Sequence, residues 1–310
     1  MAAGGEHGNK AVVAALIGNS GIAVAKFVGF AITGSSAMLA EAIHSVADSG
    51  NQALLLLGGK QAKKEADEEH QFGYGRERYF WSFVVALILF ALGSAFAVWE
   101  GISKIRHPHE ISNLPVALGI LAFAIALEGW TFRTAVTESR PLKRELSWWQ
   151  FIRRSRTPEL PVVLLEDFGA LAGLTIAFVS LLISNFFDAP VWDGIGTLSI
   201  GILLGIIAII LVIEMRSLLI GEGAQPREMA KIVNAIKTSP DVKELIHIRT
   251  QHLGPDELLV GAKVMFDPSL SMDELGAAIN RVEAAVRAEV PFAKPMYIEP
   301  GLATDPNIID

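Results

Sequence analysis

Six stretches of this chain are almost free of charge. Residues 11–32, 37–58, 79–102, 114–136, 161–185 and 191–214 each run apolar with hardly an Asp, Glu, Lys or Arg. About twenty such residues are what a helix needs to cross a bilayer. In hydrocarbon every backbone N–H and C=O must be satisfied within the segment, so such stretches fold as helices. A soluble all-helical core would have to bury six wholly apolar helices between residues 11 and 214. At 51% hydrophobic residues the chain also exceeds the usual apolar share of a soluble domain. The sequence predicts an α-helical membrane protein with six transmembrane helices.

The distribution of Lys and Arg orients those helices. Lys60, Lys63, Lys64, Arg76 and Arg78 lie between spans two and three. Arg140, Lys143, Arg144, Arg153, Arg154 and Arg156 lie between spans four and five. The loops after spans one and five carry neither residue. The expectation is a multi-pass protein with both termini cytoplasmic, in a bacterial plasma membrane given the compact chain, with an organelle membrane as the alternative. The first span is too long for a signal-peptide core and lacks a small-residue cleavage site. There is no cysteine, which excludes disulfide scaffolds and thiolate metal sites. A net charge of -7 gives no footprint for nucleic acid.

Past Arg216 the patterning changes. Residues 226–238 have a helical period, with Met229, Ile232, Val233 and Ile236 on one face. "ELIHIRTQHL" and "ELLVGAKVMF" alternate around Gly254-Pro255, a hairpin signal. "SMDELGAAINRVEAAVRAEV" is an amphipathic helix, with Ser271 and Glu274 spaced as a capping box. "KPMYIEP" reads as a last strand. Residues 1–215 thus read as the transmembrane domain, and 216–310 as a cytoplasmic α+β domain of ferredoxin-like type. Dimerisation or metal sensing are its two readings.

Ionisable side chains inside a span are costly, and are tolerated where they face other helices or a water-filled cavity. In "AEAIHSVADSGNQALLLLG" of span two, offsets of three and four place Glu41, His44, Asp48 and Asn51 on one face. His44 and Asp48 stand one turn apart, so imidazole and carboxylate can reach one ion. That donor pair suits Zn²⁺ and similar divalent cations. Span five offers Glu166 and Asp167, which as neighbours point about 100° apart. Asn19 and Glu128 are further intramembrane polar groups. Lys26, Glu100 and Glu214 read as residues near span ends that snorkel to the interface, and Asp193 as a candidate helix N-cap. "HPHE" at 107–110 reads as a turn around Pro108, and His247 and His252 as surface residues.

"IHSVADSGNQ", "ADEEHQFGYGRER", "IRTQHLGP", "FDPSLSMDEL" and "YIEP" together resemble the cation diffusion facilitators, the family of the zinc transporters. "LLED" in span five is similar to the branch that includes the ninth mammalian zinc transporter. The resemblance covers essentially the whole chain. It implies secondary active export of a divalent cation from the cytoplasm by proton antiport, by a homodimer. In that reading helices one, two, four and five rock against three and six. The first metal motif falls on His44 and Asp48, and the second on Asp167. The partner ligand of the second motif falls on Val163, which binds no metal, so Glu166 or water is left to complete the shell. A second site in the loop after span two would use Asp67 and His70, with Tyr74 standing where the family has a histidine. Family histidines of the tail fall on Ile246, Lys263 and Tyr297, so a tail zinc site is in doubt.

The function expected is therefore transport and not catalysis. No Ser/His/Asp order, HExxH or cysteine is present for an enzyme. The partners expected are a divalent metal ion, the lipid bilayer, protons and a second copy of the chain, with no resident cofactor. Zinc is favoured by histidine with carboxylates, while manganese, iron and cobalt stay open. A non-transporting, metal-responsive membrane protein is the alternative.

Overall fold

The computed structural model describes residues 3–33, 36–108 and 114–302, without the side chains of 3–8, 29, 30, 32, 33, 36–44 and 47. The chain divides into two compact units. One holds the chain up to Lys64 and Glu77–Arg216; the other holds Glu65–Arg76 and the chain from Ser217 onward.

The first unit is helical. Its elements are α1 (Ala3–Thr33), α2 (Ser36–Gln61), α3 (Glu77–Ile88), α4 (Phe96–Arg106), α5 (Leu114–Lys143), α6 (Trp148–Arg154), α7 (Glu159–Phe186) and α8 (Val191–Ile220). A π-helical stretch, Leu89–Ala95, joins α3 to α4. Among the described residues five segments are long and apolar enough to cross a membrane: Asn9–Val28, Glu77–Arg106 and α5, α7 and α8. The expectation was six. The difference is α2, 26 residues long, whose polar face carries Asp48, Ser49, Asn51 and Gln52. Outward faces are apolar: Ile202, Ile206, Ile209 and Ile213 of α8 are all exposed at helical spacing. A soluble protein buries such a stripe, and a bilayer solvates it. The short helix α6 was not anticipated. Its signal was present in Ser147 and Gln150, which form a reciprocal capping box.

Helix α1 packs on α2, α5 and α7, and α5 packs on α7. The inward stripe of α1 runs Val12, Ala15, Asn19, Ile22 and Lys26, all buried. Helices α4 and α8 meet through glycines facing each way. A Cβ on Gly101 would lie 2.5 Å from the Leu198 nitrogen, and one on Gly201 2.6 Å from the Val98 nitrogen. Small residues let membrane helices approach this closely where hydrophobic drive between them is absent. Ser94, in the π-helical stretch, donates its hydroxyl to the Gly201 carbonyl at 2.9 Å. Near the start of α7, Glu159 is buried and takes a two-pronged ion pair from Arg78 of α3, through Nε and through Nη2 at 2.8 Å.

The second unit is α9 (Pro226–Lys237), β1 (Val242–Gly254), β2 (Glu257–Phe266), α10 (Met272–Glu289) and β3 (Met296–Pro300). The sheet order is β1-β2-β3, with β1/β2 antiparallel and β2/β3 parallel. Strand β2 alternates as its sequence does, burying Leu258, Val260, Ala262, Val264 and Phe266. These meet Ile232 and Ile236 of α9 and Val282 and Val286 of α10 in one core. The Ser271–Glu274 capping box forms as expected, and a second joins Gln225 and Glu228.

One expectation is corrected here. His252 is not a surface residue. It is buried, stacked on Phe292 with ring centroids 6.1 Å apart, and its Nδ1 lies 3.3 Å from the Gly254 carbonyl. Strand alternation failed as a guide because His252, Leu253 and Gly254 are buried in succession, beside an irregularity in register. The loop Glu65–Arg76 groups with this unit. A Cβ on Gly75 would stand 2.8 Å from the Leu253 carbonyl oxygen, so the two backbones touch.

Candidate metal centre

The adjacent acids of α7 have different fates. Glu166 is buried, and each of its oxygens accepts an amide N–H: Asn51 Nδ2 at 2.9 Å and Gln52 Nε2 at 2.9 Å. Gln52 in turn accepts from Asn19 Nδ2 at 3.2 Å, so the chain of amides ties α1, α2 and α7 together. Asp167, rotated about 100° away, is 1% exposed, and among the described residues neither of its oxygens receives a hydrogen bond. The Thr131 hydroxyl of α5 is beside it but donates to the Glu128 carbonyl at 2.8 Å. A carboxylate buried without donors is far from satisfied, whereas Glu166 is filled.

Around Asp167 lie further charges. Glu128 of α5 is buried and within electrostatic reach of Asp167, Glu166 and Asp48. Asp48 also lies within reach of Glu166. One ammonium faces them: Lys26 of α1 is buried, its Nζ donates to Ser45 Oγ of α2 at 2.9 Å, and it is within reach of Glu128. The snorkelling expected of Lys26 is therefore corrected. Its place on the inward stripe of α1 aims it at the bundle and not at the interface. Glu128 was recognised in the sequence without a role; its mid-span position was the signal.

His44 lies outside the described side chains, as does Glu41. On α2, His44 stands one turn before Asp48. Val163 is fully buried one turn before Asp167, so that step of α7 offers no donor atom. Among the described residues no group of three or more His, Asp or Glu is arranged to hold a metal ion. Two of the other acids have structural partners. Asp193 pairs with Lys104 at 3.0 Å and Glu214 with Arg153 at 3.2 Å. Asp193 lies in the first turn of α8 and not at its N-cap.

In the loop, Asp67 accepts from the backbone N–H of His70 at 2.7 Å and of Glu69 at 3.1 Å, and from the Tyr74 hydroxyl at 2.6 Å. The His70 ring packs on Tyr74, 4.4 Å between centroids, with Nδ1 3.7 Å from Asp67. These bonds make an Asx-type turn. The Tyr74 hydroxyl first, then the His70 N–H, holds the Asp67 carboxyl below its ordinary value of 3.8. A lowered folded value means the turn is stabilised above the unfolded value and loses that support as pH falls through the folded one. Tyr74→Phe is expected to bring the Asp67 titration back toward the ordinary range. Protection of the His70 amide, corrected for intrinsic exchange, then fails at a higher pH than in the native protein.

Residues 12–220 match the cation efflux transmembrane domain. Over 272 residues the chain is 31% identical to the mitochondrial proton-coupled zinc antiporter SLC30A9 of Xenopus laevis, covering 85% of this chain and 49% of that protein. It is 32% identical over 244 residues to the SLC30A9 of Homo sapiens, covering 78% and 43% respectively. To Metal tolerance protein C4 of Arabidopsis thaliana it is 30% identical over 282 residues, 90% of this chain and 62% of that one. The chain spans about half the length of the SLC30A9 relatives. Those relatives are mitochondrial proteins of eukaryotes, which overturns the expectation of a bacterial plasma membrane; placement as a multi-pass membrane protein stands.

Proposed function

The chain belongs to the cation efflux family, on the branch that holds SLC30A9, and from that premise we propose that it is a proton-coupled antiporter of a divalent cation, with Zn²⁺ the preferred substrate. The observation that carries this reading is Asp167: a buried carboxylate whose oxygens accept no hydrogen bond among the described residues, set among other carboxylates. We take α2 as a further span, making six, and the second unit as a ferredoxin-like domain at which two copies pair.

Asp48 and Asp167, with His44 from the turn before Asp48, supply the ligands. One imidazole with carboxylates is a donor set that zinc accepts, and water fills the position that Val163 leaves empty. Glu166 serves as an anchor, because its oxygens are already bonded to Asn51 and Gln52. Among the described residues, four carboxylates against one ammonium leave excess negative charge in a low dielectric. A divalent cation offsets it when bound. When the cation leaves, protons are the remaining mobile charge, and that exchange is the physical basis of antiport. Metal binding requires neutral imidazole and ionised carboxylates, so metal and proton occupancy exclude each other.

The test is uptake by proteoliposomes containing a pH-sensitive dye, with Zn²⁺, Mn²⁺, Fe²⁺ and Co²⁺ added separately. Zinc is expected to drive proton movement in the native protein, and His44→Ala to remove it. Metal uptake without proton movement, or undiminished coupling in His44→Ala, overturns the reading.

A further inference from the structure

We propose that Lys26 is the resident counter-cation of the carboxylate cluster, an ammonium that the entering metal ion must displace electrostatically and that returns when the ion leaves. The inference rests on the transport reading above and adds a role for a residue outside the ligand set.

A lysine that merely covered apolar surface would send its head to the end of α1. Instead Lys26 is 7% exposed and sits on the inward stripe of the helix, while Val24, Phe27 and Val28 of the same stretch face outward. Its Nζ reaches Ser45 Oγ at 2.9 Å. Ser45 lies on α2 between His44 and Asp48, next to one proposed ligand and three residues before the other. An ammonium inside a membrane is costly to dehydrate, and the carboxylate of Glu128, within electrostatic reach on α5, offsets that cost. Helices α1 and α5 are close here because glycine permits it: a Cβ on Gly21 would stand 3.0 Å from Leu127 Cδ2. Among the described residues the fixed positive charge of the site is thus held by α1 against carboxylates of the other helices.

A fixed cation beside a cation site acts twice. With the site empty, it offsets part of the repulsion among Asp48, Glu128 and Asp167 and keeps the bundle together. With the site full, it repels the metal, weakens binding and speeds release. Removing it should therefore loosen the empty protein and tighten its grip on metal, two effects of opposite sign. A purely structural lysine would give the first without the second.

The experiment uses the full chain in detergent and in liposomes, with Zn²⁺ as the probe. Lys26→Met is expected to lower the thermal midpoint of the metal-free protein and to enlarge the rise that zinc produces. Its zinc Kd should be tighter by about tenfold or more, with KM and kcat for zinc-driven proton movement falling together. Lys26→Arg, which keeps the charge, should stay near native on each readout. Glu128→Gln placed on Lys26→Met removes the charge that Lys26 was offsetting, and should restore the metal-free midpoint. An unchanged or weaker zinc Kd in Lys26→Met overturns the proposal. So does a double variant that remains as unstable as Lys26→Met or fails to fold. If the native protein neither binds nor moves zinc, the transport reading falls. The counter-charge assignment is then decided by whether Glu128→Gln restores the midpoint.

Discussion

Asp167→Asn is expected to abolish metal-driven proton movement, a loss of about 100-fold or more, while leaving the thermal midpoint close to native. The side chain keeps its shape and loses its charge. Neither Asp167 oxygen is engaged by a donor among the described residues, so none of the described hydrogen bonds is forfeited. What disappears is the carboxylate proposed as a ligand to the transported ion. Perturbing groups that only orient ligands already weakens metal sites 10–100-fold, and removing a ligand should exceed that. Glu166→Gln, one residue away, should behave in the opposite way. Both oxygens of Glu166 accept amide N–H groups from α2, and a neutral amide cannot accept at both ends. One buried donor is left unmatched, at a loss of about 1–3 kcal/mol. The midpoint should drop more than the transport rate does. Uptake assays and thermal unfolding of the two variants side by side give the check. Reversal of the pattern, with Glu166→Gln inactive and stable, would hand the ligand role to Glu166.

The second large effect concerns stability alone. Glu159→Ala strips the Arg78 guanidinium of its two-pronged carboxylate in a buried position where both side chains are under 10% exposed. Breaking such a pair from one side typically costs about 3–5 kcal/mol, because the remaining charge is stranded. Replacing both members with Met, which fills similar volume without charge, should recover most of the loss. Thermal midpoints of the single and double variants decide it. Equal destabilisation in both would mean that the pair contributes shape and not charge balance.

Five of the expected spans were legible because lipid leaves the backbone no alternative to the helix, and twenty apolar residues cannot hide. Strand β2 and helix α10 were legible from alternation and from a capping box. Orientation about a helix axis was not. Choosing between Glu166 and Asp167 depends on which side of α7 faces α2 and which faces α5, and that is set by packing far away in sequence. Lys26 was misread for the same reason: a lysine near the end of an apolar run looks the same whether it turns outward or inward. His252 was misread because period two stops predicting burial where a strand end is covered on both faces. The compartment was not legible at all, since no bilayer leaves its address in the pattern of apolar residues.

The π-helical stretch Leu89–Ala95 has a consequence for the phase of the rod formed by α3 and α4. Arg78, Ser82, Val85 and Leu89 are buried on one side. In an uninterrupted α-helix that side would continue near Leu92 and Phe96, both of which are exposed. It continues instead through Gly93 and Ser94 to Val98 and Gly101, where the rod meets α8. Gly93 keeps the α-step of four from Leu89, and Ser94 beside it takes the fifth residue that a π turn inserts. Shortening the stretch by one residue would leave every side chain chemically unchanged, yet it would wind the glycine face of α4 about 100° out of alignment with α8. The spacing there is a timing element, one surplus residue that keeps two halves of a helix in step with different neighbours.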